Sequence, residues 1–312
     1  MHRMTSWTVA DIPDQTGRTV LITGANSGLG LRSAEALARA GAQVLLACRN
    51  PKKAADALEA VTACATGSKP SVISLDLADL SSIEAAAGEV ADRVDHIDVL
   101  MNNAGVMAIP LRRTADDFEM QFGTNHLGHF ALTGHLLPLL LAASNPRVVS
   151  TSSQAHRIGK MRWDDIQWRN RYSKWMAYGQ SKLANLLFAF ELDRRAKSEG
   201  SDLTAVAAHP GYASTHLQAA GPEMAGNSLM GRVMNFGNSI VAQSDAEGAL
   251  PQLYAATMPE VRGGEYYGPS GPFEMRGAPK QVGRTGAARD ATAAHRLWEL
   301  SEQETGVSYK WG

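Results

Sequence analysis

"TVLITGANSGLG", residues 19–30, decides the fold. Thr19 to Thr23 form a short β-rich run, and a glycine cluster follows at Gly24, Gly28 and Gly30. Leu31, Ala34, Leu37, Ala38 and Gly41 then recur at helical spacing. The stretch therefore reads as strand, tight turn and helix. Glycines permit the turn and a close backbone approach, and the helix start offers unpaired N–H groups to a pyrophosphate. The spacing is G-x-x-x-G-x-G rather than G-x-G-x-x-G, with the same physics. A plain strand-to-helix turn without a ligand is the alternative at this point. If a dinucleotide binds, Gly24, Asn26, Ser27, Gly28, Leu29 and Gly30 are its expected contacts here.

The same alternation continues outward. "QVLLAC" (43–48) reads as a strand, "PKKAADALEAVTA" (51–63) as a helix opening on proline, and "SVISLDL" (71–77) as a strand. "SSIEAAAGEVADR" (81–93) opens like a capped helix, and "IDVLMNNAG" (97–105) is a strand running into a glycine turn. A long helix is expected over 116–142, a strand at "RVVSTSS" (147–153) and a helix over 178–197. "LTAVAAHPG" (203–211) is a further strand, and "GEYYGP" (264–269) is the candidate for the last. The strands are apolar nearly throughout, which is the pattern of a parallel sheet covered by helices on both faces. The expected class is α/β, a doubly wound sheet of the Rossmann type. No internal repeat or Pro/Ser-rich linker divides the 312 residues, so one domain over 1–312 is expected. The least regular parts are 154–176 and 212–244.

Composition removes several function classes. A net charge of −1 supplies no basic field for nucleic acid or an acidic membrane. Two cysteines, Cys48 and Cys64, build no disulfide framework, and reduced thiols in a cytoplasmic setting are the simpler expectation. The first 17 residues contain no apolar signal-peptide core. "FALTGHLLPLLLAA" (130–143) holds His135 and Pro138 and is too short to span a bilayer. His126 and His129 are three apart on a helix, but no third ligand or H-E-x-x-H pattern accompanies them, so no metal site is expected. No G-x-S-x-G elbow is present for a serine hydrolase.

Which nucleotide would bind is read from the end of the second strand. Sites for NAD place a carboxylate there on the ribose 2′-hydroxyl. Here the strand ends "LLACRN", with no carboxylate until Asp56. Arg49 stands where a 2′-phosphate would lie, its planar fork suits phosphate, and Ser27 adds a hydroxyl. NADP(H) is expected over NAD(H). Farther along, "YGQSK" (178–182) sets Tyr178 four places before Lys182, on one helix face. A neighbouring ammonium favours phenolate and is expected to lower the tyrosine pKa. Alone, the pair reads first as a solvated helical contact, since most matches to so short a motif carry no chemistry.

In chain order, "TGANSGLG", "DL" at Asp76, "NNAG" at 102–105, "NHLGHF" at 125–130, "SS" at 152–153, "YGQSK" and "HPG" at 209–211 resemble the short-chain dehydrogenase/reductase family. The match runs from about residue 17 to 211. "ACRN", "TNHLGHF" and "AYGQSKLANLLF" resemble its retinol dehydrogenase-like and protochlorophyllide reductase-like branch. The resemblance implies a catalytic tetrad. Tyr178 is the general acid in reduction and the base in oxidation, and Lys182 lowers its pKa and binds the nicotinamide ribose. Ser153 hydrogen-bonds the substrate oxygen, and Asn125 holds a water linking Lys182 to solvent. Asp76 and Leu77 would line the adenine, and Asn103, Ala104 and Gly105 the adenosine ribose. Pro210, Gly211 and Thr215 would sit near the carboxamide.

The implied activity is hydride transfer between a nicotinamide and an alcohol or carbonyl substrate. Reduction of an activated C=C bond is the nearest rival, and a cofactor-binding sensor without turnover is the rival from another class. The Met-rich stretch after 211, including Leu217, Met224, Met230 and Phe236, suits an apolar substrate under a loop over 212–244. Helix packing on the core explains it equally. Both long helices, 116–142 and 178–197, carry more apolar residues than one sheet-facing stripe needs, as in "LANLLFAF", so a homodimer through them is expected.

Overall fold

The computed structural model describes residues 7–211 and 244–311. Thr215 and the apolar residues assigned to a substrate loop lie outside the described residues. The strands are β1 (Thr19–Thr23), β2 (Gln43–Cys48), β3 (Ser71–Ser74), β4 (Val99–Asn102), β5 (Arg147–Thr151), β6 (Thr204–Ala208), β7 (Tyr266–Pro269) and β8 (Pro279–Gln281). They form one sheet in the order β3-β2-β1-β4-β5-β6-β7-β8, with neighbours parallel except the last pair. The order reverses between β1 and β4. In an open α/β sheet, ligands bind at the carboxyl ends of the strands flanking such a reversal.

Strand alternation divides the apolar side chains between two cores. Val20 and Ile22 of β1, Val44 and Leu46 of β2, and Val99 and Met101 of β4 pack on one face. That face is covered by α1 (Gly28–Arg39), α2 (Pro51–Cys64) and α8 (Asp245–Thr257). Leu21, Leu45, Leu100 and Val148 point to the other face. There they meet α3 (Leu80–Ala91), α5 (Gly128–His135), α6 (Leu137–Leu141), α7 (Lys174–Ser198) and α9 (Ala291–Thr305). Both faces are buried, which is why the strands carry no polar alternation.

Three features differ from the sequence reading. The helix expected over 116–142 begins at Met120, as the short α4 (Met120–Phe122), and passes through a π turn at Gly123–Leu127. It breaks again at Leu136, where Pro138 sits in the first turn of α6 and has no N–H to donate backwards. The sheet also gains an antiparallel edge strand, β8, whose sequence Pro-Lys-Gln carries no apolar run. Lysine and proline on an edge are devices that discourage further pairing.

The third difference removes the stated reason for a dimer. The apolar surplus on the long helices is covered by the chain's own C-terminal segment. Trp298 stacks on Phe188 at 6.0 Å and meets Phe130 edge-on at 5.1 Å. The Tyr309 hydroxyl donates to Phe130 O at 2.8 Å, and Arg195 lies over the Trp298 ring. "LANLLFAF" is thus largely intramolecular core and is no argument for a partner chain.

Candidate active site

At the carboxyl end of β1 the chain turns left-handed twice, at Gly24 (φ 67°) and Gly28 (φ 53°). A Cβ at Gly30 would overlap Gly24 O and the Asn103 side chain, so α1 can approach the turn only without one. Ser27 heads α1 in extended geometry, and its hydroxyl makes no capping hydrogen bond. The first-turn N–H groups are therefore uncapped by that side chain. Leu29 is buried behind the turn.

The turn is tied to the neighbouring strand by Thr23. Its Oγ1 accepts from Asn103 N and Ala104 N, both at 2.9 Å, while Asn103 Nδ2 donates to Thr23 O at 2.8 Å. Thr23 Oγ1 also lies 2.9 Å from His129 Nε2, and His129 Nδ1 lies 3.0 Å from Asn125 O. One arrangement satisfies the ring: Nδ1–H donates to Asn125, and Nε2 accepts from Thr23. Burial drives the His129 pKa down to about 4, so the imidazole stays neutral. His126 turns elsewhere, to Ser301 Oγ at 2.9 Å.

Asn125 sits within the π turn. Its Oδ1 accepts from Val106 N at 2.8 Å, and its Nδ2 donates to Val106 O and to Ser181 Oγ, both at 2.9 Å. Gly105 lies against this side chain. A Cβ there would stand 3.0 Å from Asn125 Oδ1 and 3.5 Å from Lys182 Nζ. The residues after β4 and the middle of α7 therefore converge on one spot.

Beyond β5, Ser152 and Ser153 part company. Ser152 Oγ donates to Lys182 O at 2.8 Å and is structural. The Ser153 side chain stands beside the Tyr178 phenol and acts to lower its pKa. The two members of the YGQSK pair are both deeply buried, at 5% (Tyr178) and 2% (Lys182) exposure. Lys182 Nζ donates to Thr151 O at 3.0 Å and stands 5.8 Å from the centre of the Tyr178 ring.

The expected lowering of the tyrosine pKa by lysine is not what the chain builds by itself. Burial pushes Tyr178 up to about 12, against the lowering effect of the Ser153 hydrogen bond. Burial pulls Lys182 down to about 8. Desolvation disfavours both charged forms here, and it is the first cause of each shift.

At the opposite end of the crevice, Arg49 and Asp76 form an ion pair, Nη1 to Oδ2 at 3.5 Å. The sequence reading assigned them to separate parts of a nucleotide; the structure joins them. Asp76 Oδ1 also accepts from Ala78 N, and Leu77 is buried beside Gly128. The Arg49 and Asp76 side chains are 65% and 34% exposed, so their pairing contributes at most about 1 kcal/mol.

At the end of β6, Gly211 (φ 71°) donates its N–H to His209 Nδ1 at 3.1 Å, with Pro210 between them. Sequence reasoning passed over Gln252 of α8. It donates to Ser33 Oγ at 2.8 Å and Asn103 Oδ1 at 3.2 Å, and accepts from Thr151 Oγ1 at 3.0 Å. This one amide braces α1, β4 and β5 from behind, and no local motif marks it.

The fold and this constellation define a class. The family model described as short chain dehydrogenase matches residues 18–225. The chain belongs to that family, in its retinol dehydrogenase-like branch, and is a dehydrogenase/reductase that binds NAD or NADP. It is 39% identical over 306 residues to retinol dehydrogenase 14 of Homo sapiens, covering 93% of this chain and 87% of that protein. It is 38% identical to retinol dehydrogenase 12 of Mus musculus, covering 94% and 88%. An uncharacterized protein from Mycobacterium paratuberculosis has a solved structure with TM-score 0.80 and 44% identity, covering 98% of this chain and 100% of that one. A short chain dehydrogenase of Shigella flexneri, solved with NADP, has TM-score 0.62 and 23% identity, covering 82% and 98%, and shares the fold. Among the described residues, no helix is long and apolar enough to cross a membrane.

Proposed function

We propose that this chain is an NADP(H)-dependent alcohol dehydrogenase or carbonyl reductase acting on an apolar substrate. The observation that carries the reading is the meeting of Ser153 and Tyr178 beside buried Lys182 and Asn125, at the carboxyl edge of the sheet that also bears the glycine turn. The relatives' name makes an apolar primary alcohol and its aldehyde the first substrates to try.

The residues present fit the dinucleotide. Gly24, Gly28 and Gly30 form a cradle that side chains would fill, and the first turn of α1 suits a pyrophosphate. Arg49 and Ser27 would hold a 2′-phosphate, and Asn103 to Gly105, Lys182, Pro210 and Gly211 the remainder. When bound, the cofactor supplies or takes the hydride.

The protein's part is the proton and the charge. With its pKa raised, Tyr178 keeps its proton at neutral pH, the state an acid needs for carbonyl reduction. The Ser153 hydroxyl donates to the substrate oxygen as negative charge grows there. Lys182 holds positive charge near the phenol, and Asn125 fixes the floor under Gly105 and Val106.

NADPH oxidation against a panel of aldehydes, ketones, quinones and enones tests the activity. Tyr178→Phe keeps the ring and removes the acid. It is expected to leave NADPH binding near wild type and reduce turnover by at least ~10²-fold. Wild-type turnover in that variant would remove Tyr178 from the mechanism.

A further inference from the structure

Glu274 lies in the turn between β7 and β8, far in sequence from the tetrad, yet it joins the two segments that flank it. Its Oε2 is 3.2 Å from His209 Nε2 and 3.3 Å from Arg157 Nη2, and its Oε1 is 3.4 Å from the same Nη2. Arg157 ends the short helix Gln154–Arg157 that starts at Ser153. His209 is two residues before Gly211. Gln154, next to Ser153, reaches the same turn and donates to Phe273 O at 2.5 Å and Glu274 O at 3.1 Å.

Two further observations show that the arrangement is specified. Phe273 (φ 53°) and Glu274 (φ 56°) both occupy the left-handed region, which side-chain-bearing residues rarely adopt. Such strain persists only where surrounding contacts over-determine it, and it clusters at functional sites. The His209 ring lies against Gly268 of β7, where any Cβ would overlap Nε2. Because Nδ1 accepts from Gly211 N–H, the neutral ring carries its proton on Nε2, facing the Glu274 carboxylate.

We propose that Glu274 is a positioning residue: through Arg157 and His209 it fixes Ser153 against Pro210–Gly211, and so sets the alignment of the hydroxyl pair with the nicotinamide end of the site. This inference rests on the tetrad reading above. A small misplacement of reacting groups costs rate while leaving distant binding contacts intact. The residues proposed for the pyrophosphate and 2′-phosphate follow β1 and β2, away from this turn, so the larger part of the cofactor's binding contacts would stay in place.

The test uses the full-length protein, NADPH and the best carbonyl substrate of the panel, with benzaldehyde as the common reference. Glu274→Leu is expected to lower kcat by about 10-fold or more, with the NADPH Kd within about twofold of wild type. Glu274→Gln keeps an oxygen that accepts from Arg157 and stays close to His209 Nε2, and is expected to recover kcat to within about threefold. Wild-type kcat in Glu274→Leu overturns the inference. So does a Gln variant no better than the Leu variant when both lose NADPH binding and melt earlier, because the role is then structural.

If Glu274→Leu fails to fold, Arg157→Leu at the half-exposed end of the contact is expected to lower kcat about threefold without changing Kd, and an unchanged kcat overturns the proposal. A wild type inactive on every carbonyl, or an active Tyr178→Phe, removes the underlying tetrad reading. Loss in Tyr178→Phe with none in Glu274→Leu removes this inference alone.

Discussion

The two ends of the crevice hold similar chemical pairs under opposite conditions. At the outer end, Arg49 and Asp76 face each other largely in water. At the inner end, Lys182 and Tyr178 are almost fully excluded from it. In water the pair is weak, screened by salt and easily exchanged for another anion. Out of water, desolvation dominates and moves both pKa values toward the neutral forms, to about 8 and about 12. On the proposed function, selection between cofactors would rest on small, salt-sensitive energies and the proton chemistry on large ones stored in burial.

Lys182→Met gives the largest contrast. Turnover is expected to fall by at least ~10²-fold. The cofactor-free protein should nevertheless become more stable at neutral pH. Moving the lysine pKa from 10.5 to about 8 corresponds to a folding cost of roughly 3 kcal/mol. The lost hydrogen bond offsets about 1 kcal/mol of that gain, and Thr151 O keeps its bond from Asn185. The sign follows from linkage. Between pH 8 and 10.5 the unfolded chain holds a proton that folded Lys182 has released, so this group's contribution rises with pH across that window. Denaturant unfolding at several pH values checks this: the Met variant should lack the rise. A Met variant less stable than wild type at pH 7 breaks the contrast.

The outer end should answer more mildly. Arg49→Ala is expected to weaken NADPH binding about 10-fold at low salt, with NADH unaffected, since the lost contact is charge-assisted but exposed. Asp76→Asn frees the guanidinium and is expected to tighten NADPH about twofold, an effect that salt erases. Titrations of both cofactors at two ionic strengths measure the pair. If wild type binds NADH as tightly as NADPH, the reading of Arg49 fails.

The same contrast explains what the sequence makes legible. The glycine turn, the residues after β4 and the YGQSK pair impose local demands, on φ, on close approach or on helical spacing, and local demands leave local motifs. The π turn around Asn125 leaves none, because Gly123–Leu127 differs from a helix only in its backbone pairing. Thr23 and His129 meet across 106 residues, and Gln252 reaches Asn103 across 149. Such bonds appear only once the sheet order is known. The burial around Tyr178 is hidden for a related reason: spacing shows that a lysine is near, but not that both groups are dry or that the ammonium has a backbone partner. The apolar surplus of "LANLLFAF" looks locally like a face for a second chain because α9, whose Trp298 stacks on Phe188, lies more than 100 residues downstream.

Hydride delivery to a carbonyl carbon is the centre of the account, and one labelled turnover tests it. The substrate is an enone, which offers both a carbonyl carbon and a conjugated C=C bond, and the cofactor is NADPH carrying deuterium at nicotinamide C4. The product is read by NMR. Deuterium on the carbinol carbon of an allylic alcohol, absent when Tyr178→Phe replaces wild type, is the predicted result. Deuterium on the β-carbon of a saturated ketone would contradict it and assign the same site to C=C reduction.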